Sequence, residues 1–225
     1  MTAAPPERSV SAVPVPRTAC TAPAGPVAEV AGSEIRRLQT GYLADRSEAV
    51  AVLARLRRAA GKDVAAVPDL WGILDTGPLY EVPGIRHDAA EAAVYTAATL
   101  YALHQQSRRT GMHRTGGDEL GAAVRRLMAP DEIDEPVLKR FRQAGSAPAL
   151  PLLAVRLRGL VLLLRGEDIG LDYAQLAEQL YVWQQPGGRD GVRRSWGRSF
   201  HAHRPHRPAG EPSSASAQTD PKDAS

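Results

Sequence analysis

Six arginines fall within residues 186–210 (Arg189, Arg193, Arg194, Arg198, Arg204 and Arg207), opposed by a single acid, Asp190. This segment carries +5 in a chain whose total is +3, so the remainder sums to −2 and the positive charge is concentrated. Concentrated cations hold polyanions, because each neutralised phosphate releases its condensed counterions. Further basic clusters lie upstream. Arg55, Arg58 and Lys62 stand at i, i+3 and i+7, one face of a helix whose Leu53 and Leu56 point toward a core. Solvent alone would also accommodate such a face. Lys139, Arg140 and Arg142 surround Phe141, and Arg86 stands before a long helix. Arg156 and Arg158 interrupt an apolar run, where a charge must reach solvent, an acid or a ligand phosphate.

Groups suited to catalysis are not assembled in the same way. Cys20 is the only cysteine, which excludes an internal disulfide and a thiolate metal site and fits a reducing compartment. Asp131, Glu132, Asp134 and Glu135 precede or open a helix, where acids complement its dipole, and they do not form an acid/base pair. His201, His203 and His206 are close enough to suggest a metal, but they lie among Arg204, Pro205 and Pro208 without fixed geometry. His104 reads as a structural residue of its helix. Gly116-Gly117 and Gly187-Gly188 lack the Lys-Ser/Thr that completes a phosphate-binding loop. The expectation is no catalytic residue, no metal and no cofactor. Only Phe141, Trp196 and Phe200 lie inside basic clusters, too few for a base-stacking platform. Phosphate contact should dominate, indifferent to sequence and steeply weakened by salt.

Helices must position these residues. Apolar periodicity predicts one opened by Ser33 (Ile35, Leu38, Tyr42, Leu43) and one capped by Ser47 (Val50, Leu53, Leu56, Ala60) and stopped by Gly61. A short segment follows around Leu70, Trp71, Ile73 and Leu74, then an alanine-rich helix over 88–108. Others are expected near 118–128, 135–144, 149–165, 172–184 and 190–200. Alternating strand patterns are scarce, so the fold is expected to be all-α, a compact helical bundle with disordered N- and C-terminal tails. Its parts would be a Pro/Ala-rich leader at 1–32, a helical domain at 33–200 and a tail at 201–225. Helix 149–165, apolar nearly all round, should be the spine. Its run Leu150 to Leu164 spans 15 residues, short of the ~18–20 needed to cross a bilayer, so a soluble, cytoplasmic protein without membrane contact is expected.

An ordered series of motifs resembles the CasB family, the small subunit of the type I-E CRISPR Cascade complex. It runs from Leu53-Ala-Arg-Leu-Arg-Arg58 through Pro68-Asp-Leu-Trp71, Tyr101-Ala-Leu-His104, Leu120-Gly121 and Lys139-Arg-Phe141. It continues with Leu157-Arg-Gly-Leu-Val-Leu-Leu163, Asp172-Tyr173 through Trp183, and Val192-Arg-Arg-Ser-Trp-Gly-Arg-Ser-Phe200. The resemblance covers about residues 34–200. It implies a helical subunit present as two copies, contacting the backbone and large subunits, the crRNA, and the target and non-target DNA strands. Such a subunit stabilises the R-loop and lines a path for the displaced strand. R-loop exchange is nearly balanced energetically, so a few phosphate contacts could tip it.

Carried across, the family's basic positions fall on Arg57, Arg58, Arg86, Arg140, Arg158, Arg193 and Arg194. Arg55, Lys62, Lys139 and Arg198 join them on charge alone. A competing reading is a transcription regulator, since helix 172–184, a Gly-containing turn and basic helix 190–200 resemble a helix-turn-helix. Against it, the connection from Gln184 to Asp190 exceeds a tight turn, and the second helix has no Asn or Gln to read adenine. A protein-only helical adaptor, without salt-sensitive nucleic-acid affinity, is a third reading.

Overall fold

Seven alanines between Ala89 and Ala102 leave little side-chain bulk on one helix, and its neighbours close in on several sides. A computed structural model describes residues 25–62 and 67–202 of the chain. Its elements are α1 (Pro26–Leu43), α2 (Ser47–Ala59), 3-10 turns at Pro68–Leu70 and Gly77–Glu81, α3 (His87–Gln105), α4 (Leu120–Arg126), α5 (Glu135–Gly145), α6 (Leu150–Gly166), α7 (Tyr173–Trp183) and α8 (Gly188–Ala202). No strand occurs among the described residues, where one isolated parallel bridge joins His113 to Leu171. The all-α expectation holds. No described helix is long and apolar enough to cross a membrane.

The spine is α3 rather than α6. Every residue from Thr96 to Gln105 is buried, and α1, α2, α6 and α7 all pack on this helix. Helix α6, predicted as the centre, instead leaves Leu152 and Val155 exposed, at 39% and 52%. An all-round apolar sequence therefore overstated its burial. Small side chains permit close approach from every direction, and this decided which helix is surrounded.

The first helix begins at Pro26, not Ser33, so the boundary expected at residue 32 lies too late. Val27, Ala28, Val30 and Ala31 are all buried in the two added turns. Proline suits the first position of a helix, and the cap comes from far along the chain: the Glu178 carboxylate of α7 accepts from the Ala28 N–H at 3.0 Å. A Cβ at Gly25 would meet the Glu178 carboxylate, so a side chain there would have to move that carboxylate away from its capping position. Residues 1–24 of the expected leader lie outside the described residues. So do residues 203–225 of the expected tail, whereas His201 and Ala202 close α8.

Two aspartates cap helices directly. Asp134 Oδ1 accepts from the Val137 N–H at 2.9 Å, the helix-opening role expected of that acidic run. Asp172 Oδ1 accepts from Ala174 and Gln175, while its Oδ2 takes the Gly116 N–H at 2.7 Å. One carboxylate thus starts α7 and anchors the loop before α4. That loop is tied down further by Gln39, which accepts from His113 N at 2.9 Å and donates to His113 O at 3.1 Å.

Candidate nucleic-acid interface

Helix α2 ends at Ala59, and the chain turns at Gly61 with φ +83°, a left-handed conformation that favours glycine. This turn rests on α6: a Cβ at Gly61 would stand 3.1 Å from Arg158 Cδ and 3.6 Å from Val155 Cα. The last turn of α2, with Arg57 and Arg58, therefore shares one corner with Arg158 of α6. Lys62 follows Gly61 in the same turn. Because the helix has already ended, Lys62 does not extend the α2 face as its i+7 spacing implied. Arg55 and Arg58 do occupy the exposed face, opposite buried Leu53 and Leu56.

Residues Arg193 and Arg156 have a different task. Arg193 Nε donates to the Gly145 carbonyl at 2.6 Å, and its guanidinium lies 5.5 Å from the Trp183 ring centroid. Arg156 donates to the Gln143 carbonyl and reaches Ser146 Oγ at 3.3 Å. Cations from α6 and α8 thus meet the negative end of α5 and satisfy its last carbonyls. Arg156 contacts neither an acid nor a ligand, but a helix terminus. Arg193 also pairs with Asp190 at 3.1 Å, which leaves less of its charge for a partner.

The outer face of α8 is open. Arg194 and Arg198, four residues apart, are exposed and make no ion pair with a described acid. Lys139 and Arg140 are likewise exposed on α5, where Arg142 faces Glu135 at 3.6 Å. Helices α5 and α8 are joined by stacked aromatics: Phe141 lies 5.6 Å from Phe200 and 6.3 Å from Trp196, and Trp196 lies 5.5 Å from Trp183. Phe141, Trp196 and Phe200, the only aromatics within the basic clusters, are all buried. They hold helices together and cannot stack on bases.

Arg86 stands apart from both groups. It precedes α3, donates from its guanidinium to the Gln184 carbonyl at 3.1 Å, and donates its backbone N–H to the Tyr181 hydroxyl at 3.3 Å. Of the basic positions singled out in the sequence, Arg57, Arg58, Lys62 and Arg158 are brought to one corner. Lys139, Arg140, Arg194 and Arg198 rise from two neighbouring helices. Arg55 lies on the exposed α2 face, and Arg86 and Arg193 are engaged in holding helix ends.

Among the described residues no cluster of three or more His, Cys, Asp or Glu side chains is arranged to hold a metal. His203 and His206 lie outside them. His104 is buried on α3, its Nδ1 2.9 Å from the Tyr173 hydroxyl, and burial pushes it down to about 4. His113, which the sequence reading did not single out, accepts the Tyr173 N–H on Nδ1 at 3.2 Å. Burial lowers its pKa even though Asp172 lies nearby. Tyr173 also packs edge-on against Tyr101, whose hydroxyl donates to Gln105 at 3.3 Å, and all these side chains are buried.

A family model described as CRISPR-associated protein Cse2 matches residues 52–201. The chain belongs to this Cse2 family. Its fold is similar to the crystal structure of CasB from Thermobifida fusca, with 47% identity and a TM-score of 0.72 over 79% of this chain and 98% of that one. CasB from Thermus thermophilus shows 26% identity and a TM-score of 0.58 over 78% of this chain and 97% of that one. A chain of a CRISPR RNA-guided surveillance complex, at 20% identity and a TM-score of 0.61, shares the fold over 79% of this chain and 94% of its own. No curated protein sequence matches. The match begins inside α2 and covers this Cse2-family chain's basic positions from Arg55 to Arg198.

Proposed function

We propose that this chain is a non-catalytic, nucleic-acid-binding small subunit of a type I-E CRISPR Cascade complex, acting in antiviral defence in the cytoplasm. In this reading it stabilises the crRNA-target R-loop and the displaced non-target strand, beside the backbone and large subunits and a second copy of itself. The observation that carries the reading is that the Gly61 turn, flanked by Arg57, Arg58 and Lys62, rests against Arg158 of α6. Exposed cations without described acid partners gain more from phosphate than paired ones do, and counterion release makes that gain salt-dependent. Arg194 and Arg198 offer a second such surface. The aromatics between the basic helices are buried, which supports sequence-indifferent phosphate contact over base stacking. The solved structure of a CRISPR RNA-guided surveillance complex contains a chain of this fold, which fits the same assignment.

The regulator reading loses one objection and meets another. The connection between α7 and α8 is only residues 184–187, because α8 starts at Gly188. Its length no longer counts against a helix-turn-helix. However, Arg193 in α8 is held on the α5 terminus and over Trp183, and α8 carries no Asn or Gln for adenine. The experiment is to tag the chain in its native cell, purify it gently, and identify its protein and RNA companions. Recovery of Cascade subunits with repeat-flanked guide RNAs is expected. A lone protein, or one bound to a discrete promoter, would overturn the proposal in favour of a regulator.

A further inference from the structure

Residues 67–91 carry Asp69, Asp75, Glu81, Asp88 and Glu91 against one cation, Arg86, itself engaged by the Gln184 carbonyl. From this segment project the two most exposed large apolar side chains among the described residues, Trp71 at 70% and Tyr80 at 59%. Their mounting is firm. Leu70, Leu74 and Leu79 are buried in the core beneath them, and Thr76 Oγ1 donates to Glu91 of α3 at 2.7 Å. The Tyr80 ring stacks on His87 at 4.7 Å with planes 6° apart. The Glu91 carboxylate beside the Tyr80 hydroxyl pushes that phenol upward. Preformed Trp and Tyr side chains carry much of the energy of protein interfaces, because little rotamer freedom remains to be lost.

Nucleic acid fits this segment poorly, since Asp69, Asp75, Glu81 and Asp88 are exposed and would repel its phosphates. A basic protein segment fits well: the acids attract it, and an Arg or Lys can rest on the indole face while its stem covers apolar surface. We propose that Trp71, Tyr80 and the acids around them dock a basic segment of another protein subunit, through residues distinct from Arg58, Arg158, Arg194 and Arg198. This rests on the reading of the chain as a subunit of a multiprotein complex, and it assigns protein and nucleic acid to different residues of one small fold.

The test is co-expression of the full chain with the other Cascade subunits and a guide RNA, comparing wild type, Trp71→Ala with Tyr80→Ala, and Asp69→Lys with Glu81→Lys. Both double variants should keep the thermal midpoint of the wild type and its salt-sensitive binding to a single-stranded RNA oligonucleotide. Each should need at least ~10-fold more chain for half-assembly into the complex. Wild-type assembly by both variants would overturn the docking surface alone. Loss of RNA binding by the isolated aromatic variant would make the face a base-stacking platform instead. Loss of self-association in sedimentation, with other subunits still bound, would make a second copy the occupant. If wild type itself assembles with nothing, the subunit reading fails and this inference with it.

Discussion

The guanidinium of Arg193 donates to Gly145 and covers Trp183, whereas Arg194, one residue further on, is exposed and pairs with no described acid. Substituting each with alanine should separate the two roles. Arg193→Ala should lower stability by about 1 kcal/mol in urea unfolding, through the lost α5 terminus contact and the cation–π pair. Arg194→Ala should leave the urea midpoint unchanged and weaken RNA binding. Spacing alone cannot tell these neighbours apart, because both carry the same charge in the same motif. Only the place where α5 ends makes one of them structural. His104 offers a test of the interior. Its folded pKa of about 4 lies below the ordinary 6.5, so the unfolded chain binds the proton more readily. The stability it allows is complete above about pH 6.5 and is lost as pH falls toward 4, by about 3 kcal/mol in all. His104→Gln should flatten that acid limb in urea titrations across this range.

Close approach of α4 to α8 depends on a missing side chain. A Cβ at Gly121 would stand 1.9 Å from the Trp196 carbonyl oxygen, so Gly121→Ala must push the two helices apart. Small-to-large changes in packed interiors cost about 1–3 kcal/mol, and this one meets backbone, which cannot rotate away. The expected result is a lower thermal midpoint together with weaker RNA binding, since α8 carries Arg194 and Arg198. The Leu120-Gly121 pair was visible in the sequence as part of a motif, but its reason, a backbone contact with a helix some 75 residues later, was not. The start of α1 has the same lesson. Helix periods placed all eight helices to within a few residues except there, because the cap of α1 is Glu178, 150 residues away. The short-range signals of Ser33 and Ser47 misled: Ser33 lies inside α1, and Ser47 opens α2 without a side-chain cap bond. Glu178→Ala should fray the first turns of α1, seen as faster amide exchange of residues 28–31 with the rest of the bundle protected.

Charge across the whole molecule is divided: cations gather at the α2–α6 corner and along α5 and α8, while carboxylates and two exposed aromatics occupy the segment before α3. The concentration of arginine toward the C-terminus was legible because charge needs no three-dimensional context. The corner of Arg58 and Arg158 was legible only as two separate motifs, 100 residues apart, until the Gly61 turn set the end of α2 against Arg158 of α6. The exposed Trp71 and Tyr80 escaped notice because apolar residues in a short segment read as core, as Leu70 and Leu74 are. The central claim is that exposed arginines of this Cse2-family chain hold phosphates within an assembled complex. It is tested most directly by measuring R-loop formation with reconstituted complex containing Arg58→Glu, Arg158→Glu and Arg194→Glu together, over a range of salt. The account predicts full incorporation of the variant, R-loop affinity weakened by ~100-fold or more, and a salt slope shallower by about one for each lost contact. An affinity and a salt slope equal to those of the wild-type complex would contradict it.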